Sequence, residues 1–145
     1  MPLSPNSPTT VQDGQTRHIL FGEDDPDEED FLKEIFGSLD PGCSLTFINN
    51  GKKLLAVLEK MADAVLPRLI VLDYNMPELN GAEILKELKR NSRYNGIPKI
   101  IWSTSGSELY KKICLESGAK EYFIKPSSIK ELENLARRIL TYCPA

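Results

Sequence analysis

The apolar residues of this chain follow two alternating patterns. Short, nearly continuous apolar runs are typical of buried strands. These runs cover residues 18–22, 45–48, 69–72, 97–102 and 121–124. After each run, apolar residues recur at helical spacing, which predicts a helix. These stretches cover residues 27–39, 54–61, 84–88, 109–115 and 129–140. The alternation predicts an α/β domain: a doubly wound, five-stranded parallel sheet with five helices on its two faces.

Residues 1–16 show neither pattern. They are rich in Pro, Ser, Thr, Gln and Gly, which predicts a disordered leader before one domain at residues 17–145. We expect no output domain after the last helix. No apolar run approaches the roughly 20 residues that cross a bilayer. The spacing of Cys43, Cys114 and Cys143 matches neither a redox motif nor a zinc site. These features predict a cytoplasmic protein with reduced thiols and no association with membranes.

Polar residues follow the predicted strands at the points where they end. An acidic run at residues 23–25 follows the first strand, Asp73 follows the third, Ser103 follows the fourth and Lys125 follows the fifth. The carboxyl ends of parallel strands share one edge of a sheet, so these side chains are expected to converge. Clustered carboxylates repel one another, and Mg²⁺ relieves that repulsion because it prefers oxygen ligands. A carboxylate nucleophile beside Mg²⁺, a lysine and a hydroxyl is typical of phosphoryl transfer.

Three segments resemble the receiver domains of response regulators. They are ILFGEDDP at residues 19–26, VLDYNMP with a following Asn-Gly at residues 71–81, and YFIKP at residues 122–126. Their order and spacing match that family, with 30 positions from Asp73 to Ser103 and 22 from Ser103 to Lys125. The resemblance covers residues 17–142. It implies a flavodoxin-like three-layer sandwich and a single-domain regulator similar to the chemotaxis regulator.

The resemblance implies a phosphoacceptor and a Mg²⁺ site. Asp73 matches the aspartate that accepts the phosphoryl group. Asp24 and Asp73 match direct metal ligands, and Glu23 matches the acid that reaches the metal through water. Asn75 matches the position whose backbone carbonyl binds the metal. One departure is Gly22, which stands where the family usually has an aliphatic residue, so the end of the first strand is expected to pack differently.

The resemblance also assigns residues to the phosphoryl group and to a conformational switch. Lys125 matches the lysine that holds phosphoryl oxygens, and Pro126 matches a cis-proline. Ser103 matches the switch hydroxyl that follows the phosphoryl group, although the adjacent Thr104 leaves a one-residue alternative. Tyr122 matches the aromatic ring that turns inward on activation. The implied protein is a phosphoacceptor that catalyses only its own phosphorylation and dephosphorylation, not an enzyme acting on other substrates.

Two other functions remain open at this point. A pseudo-receiver would bind partners without being phosphorylated, but the intact acidic pair, Asp73 and Lys125 argue against it. A haloacid-dehalogenase-like phosphatase also uses an aspartate at a strand end, Mg²⁺ and a lysine. That family requires a second aspartate two residues after the nucleophile, and this chain has Asn75 there.

The resemblance implies protein partners. The phosphoryl donor is expected to be a sensor histidine kinase or a histidine phosphotransfer protein. A downstream protein is expected to bind the surface of the fourth helix, fifth strand and fifth helix. Residues 91–98 resemble the branch of small regulators that act with phytochrome-like kinases. The net charge of −3 gives no indication of nucleic-acid binding, and the chain is expected to be a monomer or a weak dimer.

Overall fold

The computed structural model describes residues 17–144, so the predicted leader lies outside the described part of the chain. The strands are β1 (Arg17–Gly22), β2 (Cys43–Ile48), β3 (Leu69–Asp73), β4 (Lys99–Ser103) and β5 (Glu121–Ile124). The helices are α1 (Pro26–Leu39), α2 (Gly51–Lys60), α3 (Gly81–Lys89), α4 (Glu108–Glu116) and α5 (Ile129–Leu140). Two 3₁₀ turns, Asp63–Val65 and Ser92–Tyr94, precede β3 and β4. Within residues 17–144, no helix is both long enough and apolar enough to cross a membrane.

All neighbouring strands of the single sheet run parallel, in the order β2-β1-β3-β4-β5. β2 therefore lies on one side of β1, and β3, β4 and β5 follow in order on its other side. The sheet's switch point lies between β1 and β3, which is where ligands bind in open α/β sheets. The predicted five-stranded, doubly wound architecture is confirmed.

The ends of several elements differ from the sequence-based prediction because apolar positions mark only the buried stripe of a helix. α2 and α3 begin at glycines, and each is capped by the preceding asparagine. The Asn80 side chain accepts a hydrogen bond from the Glu83 amide, and the Glu83 carboxylate accepts one from the Asn80 amide. This capping box satisfies donors that the first helical turn leaves free. β4 begins at Lys99 because Pro98 has no amide hydrogen to donate to the sheet.

The sheet separates two hydrophobic cores. One core packs Leu72 and Ile101 against α2, α3 and α4, and the other packs Phe21 and Trp102 against α1 and α5. Successive residues of each strand alternate between the two cores, so both faces of the sheet are buried. Trp102, the last residue of the apolar run that predicted β4, is buried, although its indole N–H has no hydrogen-bond partner among the described residues.

The cysteines are free thiols, and burial raises the pKa of each. Cys114 and Cys143 are buried, and Cys43 is partly buried. Burial raises the pKa of Cys43 and that of Cys114 to about 11. The three cysteines pack into the two cores, and thiols with raised pKa values are poor nucleophiles at neutral pH.

Gly22 gives the end of β1 the unusual packing that the sequence predicts. A Cβ atom at Gly22 would lie 3.0 Å from Met76 Cε and 3.1 Å from methyl groups of both Leu54 and Leu72. The methionine tip and the two leucines therefore occupy the space that an aliphatic side chain would need. Met76 lies in the loop that follows Asp73, so this contact links the end of β1 to the loop beside the candidate site.

We predict that Gly22→Val lowers the free energy of unfolding by about 1–3 kcal/mol, because three added carbons overpack a filled core. Urea denaturation would measure the effect. Gly37→Val is the matched control, since a Cβ at Gly37 meets no atom within 4 Å. In the Met76→Ala background, which removes the closest of the three contacts, Gly22→Val should cost less. An equal cost in both backgrounds would contradict the proposed contact.

Candidate metal and phosphoryl-transfer site

The acidic residues of the site converge because β1 and β3 are neighbours. β1 ends immediately before Glu23, and the Glu23 amide donates to the Ile48 carbonyl of β2 at 3.0 Å. β3 ends at Asp73. Carboxylate oxygens of Glu23, Asp24 and Asp73 all lie within 4.8 Å of one another. Glu23 and Asp73 are only 3% and 6% exposed, whereas Asp24 is exposed to solvent. This donor set of oxygen atoms, open on one side, fits Mg²⁺ and leaves space for water and phosphate oxygens.

Lys125 enters the site from β5, which is separated from β3 by β4. Its amide donates to the Ser103 carbonyl at 2.7 Å, which fixes its backbone against the end of β4. Its side chain then passes over the Trp102 ring, with the ammonium nitrogen 4.9 Å from the ring centroid. The aromatic face attracts the ammonium group by a cation–π interaction. The side chain thus crosses β4 and reaches Asp73.

The Lys125 ammonium group contacts carboxylates from three parts of the chain. Its Nζ lies 2.9 Å from Asp73 Oδ2, 3.1 Å from Glu23 Oε1 and 3.0 Å from Glu28 Oε1. The lysine side chain is only 12% exposed. The structure therefore brings together Glu23, Asp24, Asp73 and Lys125, as the sequence predicted, and adds Glu28.

Sequence reasoning missed Glu28, which lies in the first turn of α1. Asp25 caps that helix by accepting from the Asp27 amide at 2.9 Å, and Pro26 occupies the first helical position. α1 therefore starts directly beside the acidic end of β1, with Glu28 close to the site. The sequence did hold a signal, because only a few residues separate Glu28 from the acidic end of β1. However, acidic residues in the first turn of a helix are normally explained by the helix dipole alone.

Burial and mutual repulsion set the charges in the site. Burial is the main cause that raises the pKa of Glu23 to about 7, and Asp73 and Glu28 raise it further while Lys125 lowers it. Burial alone would lower the pKa of Lys125. The hydrogen bond to Asp73 and the charges of Asp73 and Glu23 outweigh that effect and raise the Lys125 pKa above its ordinary value. Lys125 therefore stays charged across the physiological range.

Asn75 and Ser103 lie at the edge of the site. The Asn75 amide donates to Asp73 Oδ1 at 3.1 Å, which orients the carboxylate. Ser103 is fully buried as the last residue of β4, and Thr104 is exposed. The Ser103 hydroxyl accepts from the Ser105 amide at 3.0 Å and has no hydrogen bond to Asp73. The metal role of the Asn75 carbonyl and the switch role of Ser103 stay predictions.

Tyr122 and Pro126 differ from what the resemblance implies. Tyr122 already lies inward in this structure: it is buried, and its hydroxyl donates to the Ser105 carbonyl at 2.8 Å. The expectation of a cis-proline at Pro126 is wrong for this structure, because the described residues contain no cis peptide bond. A trans bond is the intrinsically preferred form before proline, and here it is compatible with the contacts of Lys125.

Comparison with known proteins identifies the family. The family model for the response regulator receiver domain matches residues 19–137. The chain belongs to the response-regulator receiver family. The two-component response regulator ORR5 of Oryza sativa subsp. japonica is 30% identical over 130 residues, which are 90% of this chain and 93% of the relative. Receiver domains are signalling modules of two-component systems, so the coarse functional class predicted from the sequence is confirmed.

Solved structures share the fold. The phosphorylated cyanobacterial phytochrome response regulator RcpA has a TM-score of 0.79 at 23% identity and covers 88% of this chain and 93% of its own. The Mn²⁺-bound form of response regulator Rcp1 has a TM-score of 0.78 at 25% identity and covers 89% of this chain and 99% of its own. The flavodoxin-like receiver fold is confirmed, and so is the likeness to small regulators of this type.

We predict that Glu23 makes stability depend on pH in the metal-free protein. The Glu23 pKa is about 7 in the folded chain and 4.5 as its ordinary value. Between these two values the folded chain holds a proton on Glu23 that the unfolded chain has lost. The contribution of Glu23 to the free energy of unfolding is therefore fully present below pH 4.5 and is lost as the pH rises through about 7. The loss should be roughly 2–4 kcal/mol, because each unit of pKa shift corresponds to about 1.4 kcal/mol.

Urea denaturation in EDTA, at pH values on both sides of this range, would test the prediction with the parent and Glu23→Gln. Burial lowers the pKa of His18, but that titration is common to both proteins. The free energy of unfolding of Glu23→Gln should therefore rise relative to the parent as the pH increases. A difference that stays constant with pH would show that Glu23 ionises normally.

Proposed function

We propose that the protein receives a phosphoryl group on Asp73 in a Mg²⁺-dependent reaction and passes the signal to a protein partner. The observation that carries this proposal is the arrangement around Asp73: a nearly buried carboxylate that lies beside Glu23 and Asp24 and 2.9 Å from the Lys125 ammonium group. A nucleophile, a set of metal-binding oxygens and a fixed positive charge thus meet at one point. Together they supply the positioning and charge neutralisation that phosphoryl transfer requires.

In the proposed reaction, an Asp73 carboxylate oxygen attacks the phosphorus of a phosphohistidine on a partner protein. An O–P bond forms, the P–N bond breaks, and the electron pair leaves with the imidazole. Asp73 enters as a carboxylate, so no proton has to be removed from it. The Asn75 amide orients the Asp73 carboxylate, and Lys125 binds a phosphoryl oxygen. The product is a mixed anhydride on Asp73.

The metal would be held by Asp24, Asp73 and the Asn75 carbonyl, with Glu23 acting through a bound water molecule. Bound Mg²⁺ would neutralise negative charge as the phosphoryl group is transferred. The compact group of carboxylate oxygens supports this proposal. The Mn²⁺-bound form of Rcp1, a relative with the same fold, supports it as well.

We propose that the output surface is formed by α4, β5 and α5. The Ser103 hydroxyl would move toward the phosphoryl group. Tyr122 donates a hydrogen bond to the carbonyl of Ser105, two residues after Ser103, so its ring position would change with that movement. Leu109, Ile124 and Ile129 are more than half exposed on this surface and are suited to a protein partner. The phosphoryl donor would be a sensor histidine kinase or a histidine phosphotransfer protein.

Intact-mass measurement after incubation with acetyl phosphate would test the proposal. The parent should gain one phosphoryl group in the presence of Mg²⁺ and none in EDTA, because the carboxylates need the metal to accept an anion. Asp73→Asn should gain none, and Glu34→Asn, a change of an exposed acid elsewhere on α1, should behave as the parent.

Two other outcomes correspond to the two alternatives. Absence of an adduct together with absence of Mg²⁺ binding in calorimetry would indicate a pseudo-receiver. Sustained hydrolysis of p-nitrophenyl phosphate that is abolished by Asp73→Asn would indicate a phosphatase. The second outcome is disfavoured because Asn75, which replaces the second aspartate of such enzymes, has no carboxylate with which to protonate a leaving group.

A further inference from the structure

Glu28 is an acidic residue of the site with no role in the proposed reaction. Its carboxylate lies 3.0 Å from the Lys125 ammonium nitrogen, as close as the carboxylates of Glu23 and Asp73. Glu28 comes from α1, whereas Asp73 is the last residue of β3 and Glu23 directly follows β1. We propose that Glu28 competes with the phosphoryl group for Lys125 and thereby limits phosphorylation of Asp73. This inference rests on the proposed function.

The first argument is the hydrogen-bonding capacity of Lys125. A lysine ammonium group has three hydrogens to donate. Carboxylates of Glu23, Glu28 and Asp73 each accept one of them. No hydrogen is left for a phosphoryl oxygen, so one existing partner must be displaced when a phosphoryl group binds.

The second argument is that Glu28 is the partner most easily displaced. The Glu23 side chain is 1% exposed, and its second oxygen accepts from the Asp25 amide at 3.2 Å, so it is fixed from two sides. Asp73 is the acceptor itself. The Glu28 side chain is 33% exposed and can rotate into solvent without disturbing the strands. When Glu28 leaves, the only ion pair lost among the described residues is its partly exposed one with Lys125.

The third argument is electrostatic. Phosphorylation replaces the single negative charge of Asp73 by a phosphoryl group with up to two negative charges. Until it is displaced, the Glu28 carboxylate is a like charge beside the incoming phosphoryl group, and in this partly buried position the repulsion is stronger than in water. Both effects act in the same direction: Glu28 opposes phosphoryl transfer to Asp73.

The test compares the parent with Glu28→Gln, which keeps the length of the side chain and removes its charge. At saturating Mg²⁺, the initial rate of adduct formation with acetyl phosphate should rise by roughly three-fold or more. The affinity for beryllofluoride, a phosphoryl analogue, should rise by a similar factor in calorimetry. This second measurement involves no transfer of a phosphoryl group and no leaving group, and a purely structural role for Glu28 would not raise the affinity.

Asp30→Asn is the matched control, because it removes one negative charge from an exposed position on the same helix. It should change neither the rate nor the affinity. If Glu28→Gln equals the parent, or if Asp30→Asn produces the same gain, competition at Lys125 is overturned while phosphorylation of the parent still stands. If the parent itself forms no adduct with acetyl phosphate, the proposed function fails, and that result is separate from any difference between the variants.

Discussion

The ion cluster around Lys125 is the interaction on which the rest of the site depends. One ammonium group, nearly buried, lies among the carboxylates of Glu23, Glu28 and Asp73. Without it, these acids would be close together with little water to screen them, and their ionised forms would be strongly disfavoured. The excess of negative charge that remains supports the proposed binding of a divalent cation.

The sheet topology makes this cluster possible. Because the strand order reverses between β1 and β3, the loops that follow them lead to helices on opposite faces of the sheet, and their carboxylates meet at the edge between these helices. β5 lies two strands away from β3, so its lysine reaches Asp73 only by extending across the end of β4. Trp102 provides an aromatic surface beneath that path. The buried ring of one core thus supports the charged group of the site.

The hydrophobic packing connects the site to the interior in a second place. Gly22 ends β1 directly before Glu23, and the absence of a side chain there admits the tip of Met76 from the loop after Asp73. The two acidic loops are therefore packed against each other below the carboxylates. Close-packed interiors transmit displacement, so this contact couples the packing at Gly22 to the loop that follows Asp73.

The sequence by itself determined the order of strands and helices, since both the apolar runs and the helical spacing are local patterns. It also predicted that Asp24, Asp73 and Lys125 lie together, because they stand at the ends of parallel strands, which share one edge of the sheet. Other features depended on tertiary structure. Glu28 looks like an ordinary first-turn acid until the fold brings the Lys125 ammonium group to its carboxylate. The inward position of Tyr122 depends on its hydrogen bond to the Ser105 carbonyl in the loop after β4. These are distances between segments far apart in the chain, which no local pattern records.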